Sequence, residues 1–131
     1  MRVKESRWFL DSSIWLGYFL GNLPETRGII DSEENILFTS IISIHEVFKK
    51  LRRLGRTEQE AGRALKIMED NGIIINLNKE IAIDAVKNCE EHGLHTIDSL
   101  IYSSAIATAA IFVTADKDFM GIPKIRVIAI E

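Results

Sequence analysis

The chain has 131 residues, 47% hydrophobic and 27% charged, with a net charge of −3 at pH 7 and a pI of about 5.6. That is the size and balance of one globular domain, able to bury about two-thirds of the surface its unfolded chain exposes, and it excludes a disordered chain. No stretch reaches the ~18 apolar residues of a membrane span. The lone Cys89 excludes an internal disulfide and suits a reducing cytosol. The acidic balance argues against a general nucleic-acid coat but not against an enzyme acting on nucleic acid.

No internal repeat or Pro/Gly-rich linker divides the chain, so residues 1–131 read as one domain. The start, MRVKESRWFLDSS, has only a short apolar run interrupted by Asp11, and reads as a first strand rather than a signal peptide. That strand is Arg7 to Leu10. Ser12 or Ser13 then caps a helix over IWLGYFLGN, which stops at Gly21-Asn22. Leu23 to Ser32 gives a second short helix and Ile36 to Thr39 a second strand.

From Ser40 the pattern turns helical, with Ile44, Val47, Phe48, Leu51 and Leu54 at three- and four-residue steps and Gly55 as terminator. Thr57 and Glu60 form the capping box of the next helix, which carries Ala61, Leu65 and Met68 and stops at Asn71-Gly72. Ile73 to Ile75 is a β-branched strand. Asn78 opens a helix with Ile81, Ala85 and Cys89 on one face, ending near His92-Gly93. Thr96 caps a helix from Ile97 to about Ala110. Strands at Ile111 to Thr114 and Ile125 to Ile130 close the chain. Apolar strands alternating with amphipathic helices predict an α/β fold, a parallel sheet covered on both faces, with ligands beyond the carboxyl ends of the strands.

Four carboxylates fit that edge. Asp11 ends the first strand, and two residues separate Asp116 from the strand core Ile111 to Val113. Glu46 lies one to two turns into the helix after the second strand, and Asp98 in the first turn of the helix after Thr96. Helices begin where strands end, so four segments can converge. Two like charges ~4 Å apart repel by about 4 kcal/mol at an effective dielectric near 20, which a proton or a cation relieves. Hard oxygen donors suit Mg²⁺ or Mn²⁺, and such a site polarises phosphate and activates water. No His/Cys set has zinc-ligand spacing.

Taken singly, each acid has an ordinary reading. Glu46 is a solvated neighbour of Lys49 and Lys50, Asp98 a first-turn acid on a helix dipole, Asp116 a turn residue. The basic run KKLRRLGR puts Lys49 and Arg53 on the face of Glu46, where they either contact RNA phosphates or form a solvated face. Lys117 beside Asp116 is a further candidate RNA contact. Trp8, Trp15, Tyr18 and Phe19 read mostly as core. Other α/β enzymes fit less well. Ser13 stands where a dehalogenase-type phosphatase wants a second Asp, and DSSIWLG lacks the glycines of a dinucleotide fold.

Four segments, FLDSSIWLGYF, SIISIHEVFKKL, HTIDSLIYSSAIATAAIFVTADKDF and KIRVIAI, in this order over nearly the whole chain, resemble the PIN domain family, particularly the VapC-like toxin ribonucleases of prokaryotic toxin–antitoxin systems. The resemblance implies a single PIN-like domain with a parallel sheet flanked by helices. It implies Mg²⁺- or Mn²⁺-dependent hydrolysis of single-stranded or looped RNA, with Asp11, Glu46, Asp98 and Asp116 as the family's four acids, both metal ligands and catalytic. It also implies a homodimer, inhibition by a cognate antitoxin, and cytoplasmic residence. Ser12 and Thr114 resemble residues supporting the metal site, or else serve as a cap and a turn residue. Asp118 orients a metal-bound water or caps the turn at Phe119. His95 reads as a loop histidine and His45 as packed or partly exposed. The alternative is a non-catalytic PIN-like module in RNA processing or protein interaction.

Overall fold

The computed structural model describes residues 6–128. Five strands form one sheet: β1 (Ser6–Leu10), β2 (Asn35–Ser40), β3 (Ile73–Ile75), β4 (Ile111–Thr114) and β5 (Ile125–Val127). Their order is β3-β2-β1-β4-β5 and every neighbouring pair is parallel. Six α-helices connect them: α1 (Ser12–Leu20), α2 (Glu25–Ile30), α3 (Ile41–Arg53), α4 (Glu58–Asn71), α5 (Lys79–His92) and α6 (Thr96–Ala107). The alternation of strands and helices read from the sequence is therefore the architecture.

The strands' period of two splits the core. Leu10, Leu37 and Val113 face one cluster, where α1 to α4 supply Trp15, Ile29, Val47, Leu51 and Met68. Phe9, Phe38 and Phe112 face the other, filled by Ile101, Tyr102 and Ala105 of α6 and by Phe119. Adjacent residues on one strand thus belong to opposite faces, as the pleat requires. Trp15 is fully buried, and its indole N–H donates to Thr39 Oγ1 at 2.9 Å, so the largest core side chain leaves no orphan donor.

Several boundaries differ from expectation. The first helix is capped by Asp11, whose carboxylate accepts from the Ser12 amide, so neither Ser12 nor Ser13 is the cap. The α2 helix is shorter than Leu23 to Ser32, because Pro24 sits at its N-cap. Leu54 follows the last helical residue and is 49% exposed, outside the apolar stripe. Thr96 is the first residue of α6 rather than its cap; His95 holds that position without a side-chain bond. The same helix ends at Ala107, before Ala110, where the chain turns through Ala109 at φ 52°. The last strand is shorter than Ile125 to Ile130: it ends at Val127, Ile128 follows it outside the strand, and 129–130 lie outside the described residues. The capping box of Thr57 and Glu60 is present. Among the described residues no helix is long and apolar enough to cross a membrane.

Candidate active site

The chain proceeds outward from β1 to β2 and β3, then crosses to the other side of β1 for β4 and β5. The carboxyl ends of β1 and β4 therefore lie side by side where the winding reverses, the place at which open α/β sheets form ligand crevices. Leu10 pairs with Val113, and the Asp11 amide donates to the Val113 carbonyl at 3.0 Å.

Asp11 is held from several directions. Its Oδ1 accepts from the Ser12 amide at 2.9 Å, and its Oδ2 accepts from Thr114 Oγ1 at 2.7 Å and from Ser13 Oγ at 3.3 Å. Thr114 Oγ1 in turn accepts from the Asp116 amide at 3.0 Å. Ser13 Oγ accepts from the Ala115 amide at 2.9 Å. Two hydroxyls therefore tie the ends of β1 and β4 together. Thr114 is the side chain that fixes Asp11; Ser12 contributes its backbone there and its hydroxyl beside Glu46. Ser13, which sequence reasoning offered only as a cap, is the missed member. Its bridge depends on a strand a hundred residues away, and no local signal carries that information.

Asp98 in the first turn of α6 meets Asp116 and Asp118, with one carboxylate oxygen from each within 4.8 Å of the others. A 3-10 turn, Lys117–Phe119, brings Asp118 back toward its neighbours, and Asp116 Oδ1 caps that turn by accepting from the Asp118 amide at 2.9 Å. Asp118 thus joins the acidic group and is not merely a turn residue; its own carboxylate does not cap the turn. His95 and Asp118 line a small hollow beside it. Lys117 is exposed on the turn and lines none of the hollows beside the acids.

The acids act on one another. Burial, and then the charges of Glu46 and Asp98, raise the Asp11 carboxyl to about 6, against the pull of the Thr114 and Ser12 hydrogen bonds. Burial and the Asp98 charge raise Glu46, with Ser12 and Lys49 opposing. Burial and the charges of Asp116 and Asp118 raise Asp98, with His95 opposing. Among the described residues the ion pairs are Lys66–Asp70 and His92–Glu91, so no described cation pairs with any of these five acids. Glu46 Oε1 is buried without a hydrogen-bond partner. A buried orphan oxygen on an acid facing other acids fits a hard divalent cation, which takes oxygen donors and restores the missing positive charge.

A cleft of about 470 Å³ opens beside Glu46, between α1, α3 and the start of α6. Lys49, Lys50 and Arg53 line it, as does exposed His45.

A parallel α/β sheet whose strand-end carboxylates converge at the reversal of winding defines a class of acidic-site proteins. The chain belongs to the PIN domain family, whose model matches residues 8–125. A comparison with curated proteins found no match. Among solved structures, it is similar to a chain of a toxin–antitoxin complex from Klebsiella pneumoniae, 26% identical over 91% of this chain and 95% of that one, with a TM-score of 0.73. It is similar to VapBC2 from Rickettsia felis bound to a promoter DNA fragment, at 20% identity, 95% and 99% coverage and a TM-score of 0.75. A third is VapC20 of Mycobacterium tuberculosis, a sarcin-ricin loop cleaving toxin, at 19% identity, 88% and 95% coverage and a TM-score of 0.67.

Proposed function

We propose that this protein is a divalent-metal-dependent endoribonuclease and the toxin of a toxin–antitoxin pair. The observation that carries the reading is the convergence of Asp11, Glu46, Asp98 and Asp116 at one sheet edge, unneutralised by any described cation, with an orphan carboxylate oxygen among them. Membership in the PIN family and likeness to toxin–antitoxin complexes support it.

The four acids would hold Mg²⁺ or Mn²⁺: Asp98 and Asp116 form the close group together with exposed Asp118, while Asp11 and Glu46 lie outside that group and are joined to it through the Asp98 charge. The cation supplies Lewis-acid polarisation of a phosphate oxygen and activation of water. The chain's own groups do the rest. Thr114 and Ser13 fix the Asp11 carboxylate, so that its donor oxygens do not have to be ordered on binding. The raised Asp11 makes cation binding expel protons below about pH 6. Lys49 and Arg53 take phosphates of the RNA strand flanking the cut. A homodimer, an inhibiting antitoxin and residence in the cytoplasm complete the proposal, the partners on family likeness and the compartment on the lone cysteine.

The test is cleavage of a labelled structured RNA with Mn²⁺ or Mg²⁺ and with EDTA, beside identically purified Asp98→Asn. Cleavage that needs metal and falls by two or more orders of magnitude in Asp98→Asn is expected, since Asp98 acts on both Asp11 and Glu46. Equal cleavage by both proteins would refute the assignment.

A further inference from the structure

Besides Ser12, His45 and Glu46, the cleft is lined by two unlike sets of side chains. One is aliphatic: Leu16 of α1, Ile42 of α3 and Ile97 of α6. The other is cationic: Lys49, Lys50 and Arg53. Ile97 is 48% exposed although it directly precedes Asp98 in the acidic site. A single exposed apolar residue is ordinary, but here exposed Ile97 meets half-buried Leu16 and Ile42, and the three bring apolar surface from three helices onto one cleft. The cations form no ion pair with any described residue, in a chain whose net charge is −3. Three like charges on neighbouring helical positions repel, and an anion set against them removes that repulsion.

The occupant must therefore join an anionic group to an apolar face. A nucleotide does so, with a phosphate for the cations and a base for the aliphatic wall. The base face is free only when the nucleotide is unstacked, because paired strands show base edges and hydroxyls instead. We infer that the cleft is a base slot. It takes one unstacked nucleotide next to the cut phosphate, with the base against Leu16, Ile42 and Ile97 and the adjoining phosphate on Lys49 and Arg53. The slot rests on the nuclease reading for its substrate, but it is a binding element, separable from cleavage. An aliphatic wall senses the presence and area of a base more than its hydrogen-bonding edge, so purines bind better than pyrimidines.

The test is equilibrium binding by fluorescence anisotropy in EDTA, where metal-dependent cleavage is absent. The probes are a labelled octa-adenylate and an octamer of abasic ribosides with the same phosphates. Wild-type protein is expected to prefer the octa-adenylate by on the order of tenfold, from burial of one base face against the aliphatic side chains. Ile97→Ala loses most of that preference, and the 48% exposure of Ile97 leaves the fold little affected by the change. Lys49→Ala keeps the preference while weakening both probes and flattening the salt dependence. Equal binding of the two probes by wild-type protein, or an unchanged preference in Ile97→Ala, overturns the slot. So does failure of both probes to bind, which would leave the cleft to an acidic protein segment. Base-dependent binding without cleavage would sink the nuclease reading alone; cleavage with base-independent binding would sink the slot alone.

Discussion

Asp11→Asn should make the metal-free protein more stable at neutral pH while destroying its site. The Asp11 carboxyl is held at about 6 in the folded chain against an ordinary 3.8. The folded state thus binds the proton more tightly than the unfolded one. Native stability falls as pH rises from about 3.8 to about 6, and stays reduced above that. The difference of about 2 pH units, at 1.36 kcal/mol each, corresponds to about 3 kcal/mol. Asparagine removes that cost. Its oxygen can still accept from the Ser12 amide, but its NH₂ then faces the hydroxyls of Thr114 and Ser13, and turning them costs on the order of 1 kcal/mol. The net expectation at pH 8 in EDTA is a gain of about 1–2 kcal/mol, or roughly 4–8 °C in Tm for a domain of this size. Near pH 4 the advantage disappears. Adding Mn²⁺ should raise the wild-type Tm and leave the variant nearly unmoved. Thermal denaturation by circular dichroism at pH 4 and pH 8, with EDTA and then with Mn²⁺, measures all three. A variant less stable than wild type at pH 8, or a difference that does not change with pH, would refute the account of burial and mutual repulsion at this site.

Thr114→Val should cost about 1–3 kcal/mol in urea denaturation. It removes the hydroxyl that bonds Asp11 and leaves the Asp116 amide without its acceptor. The same change should raise the Asp11 carboxyl further and increase the Mn²⁺ concentration needed for half-maximal stabilisation. Gly17→Ala should cost roughly 1–3 kcal/mol in the same urea assay. A Cβ there would stand 2.5 Å from Leu23 Cδ1 and 2.7 Å from Leu23 Cβ, and the second of these cannot be relieved by a rotamer change alone.

What the sequence made legible was what depends on neighbours along the chain. Apolar strand runs end at polar residues, so Asp11 and Asp116 could be placed at carboxyl ends without knowing the strand order. Glu46 and Asp98 followed because helices start at that edge. The strand order itself, with β1 between β2 and β4, was not readable, because a parallel ladder leaves no mark in the local pattern. The role of Ser13 was hidden for the same reason. Asp118 could be read either way, since its nearness to Asp98 depends on a single 3-10 turn. The end of α6 was misplaced because Ala105 to Ala110 has strong helical propensity, while the chain must turn at Ala109 to enter β4.

The site divides into a rigid half and an adjustable half. Asp11 and Asp116 leave the ends of adjacent parallel strands and share the Thr114 hydroxyl, which gives to one and takes from the backbone of the other. Their separation is therefore set by the sheet. Glu46 and Asp98 come instead from helices, and neither carboxylate makes a side-chain hydrogen bond as close as those that hold Asp11. Electrostatically, Asp98 links the halves. Its charge raises Asp11 and Glu46, and it is itself raised by Asp116 and Asp118. A divalent cation bound among the five would attract each acid and outweigh their mutual repulsion, so its binding would order the helical acids onto donors the strands already fix. Among the described residues no cation pairs with these acids, so their mutual repulsion is left uncompensated by the protein itself. Lys49 opposes the rise of Glu46 and His95 that of Asp98, and Lys49 does so from the cleft that Glu46 also lines.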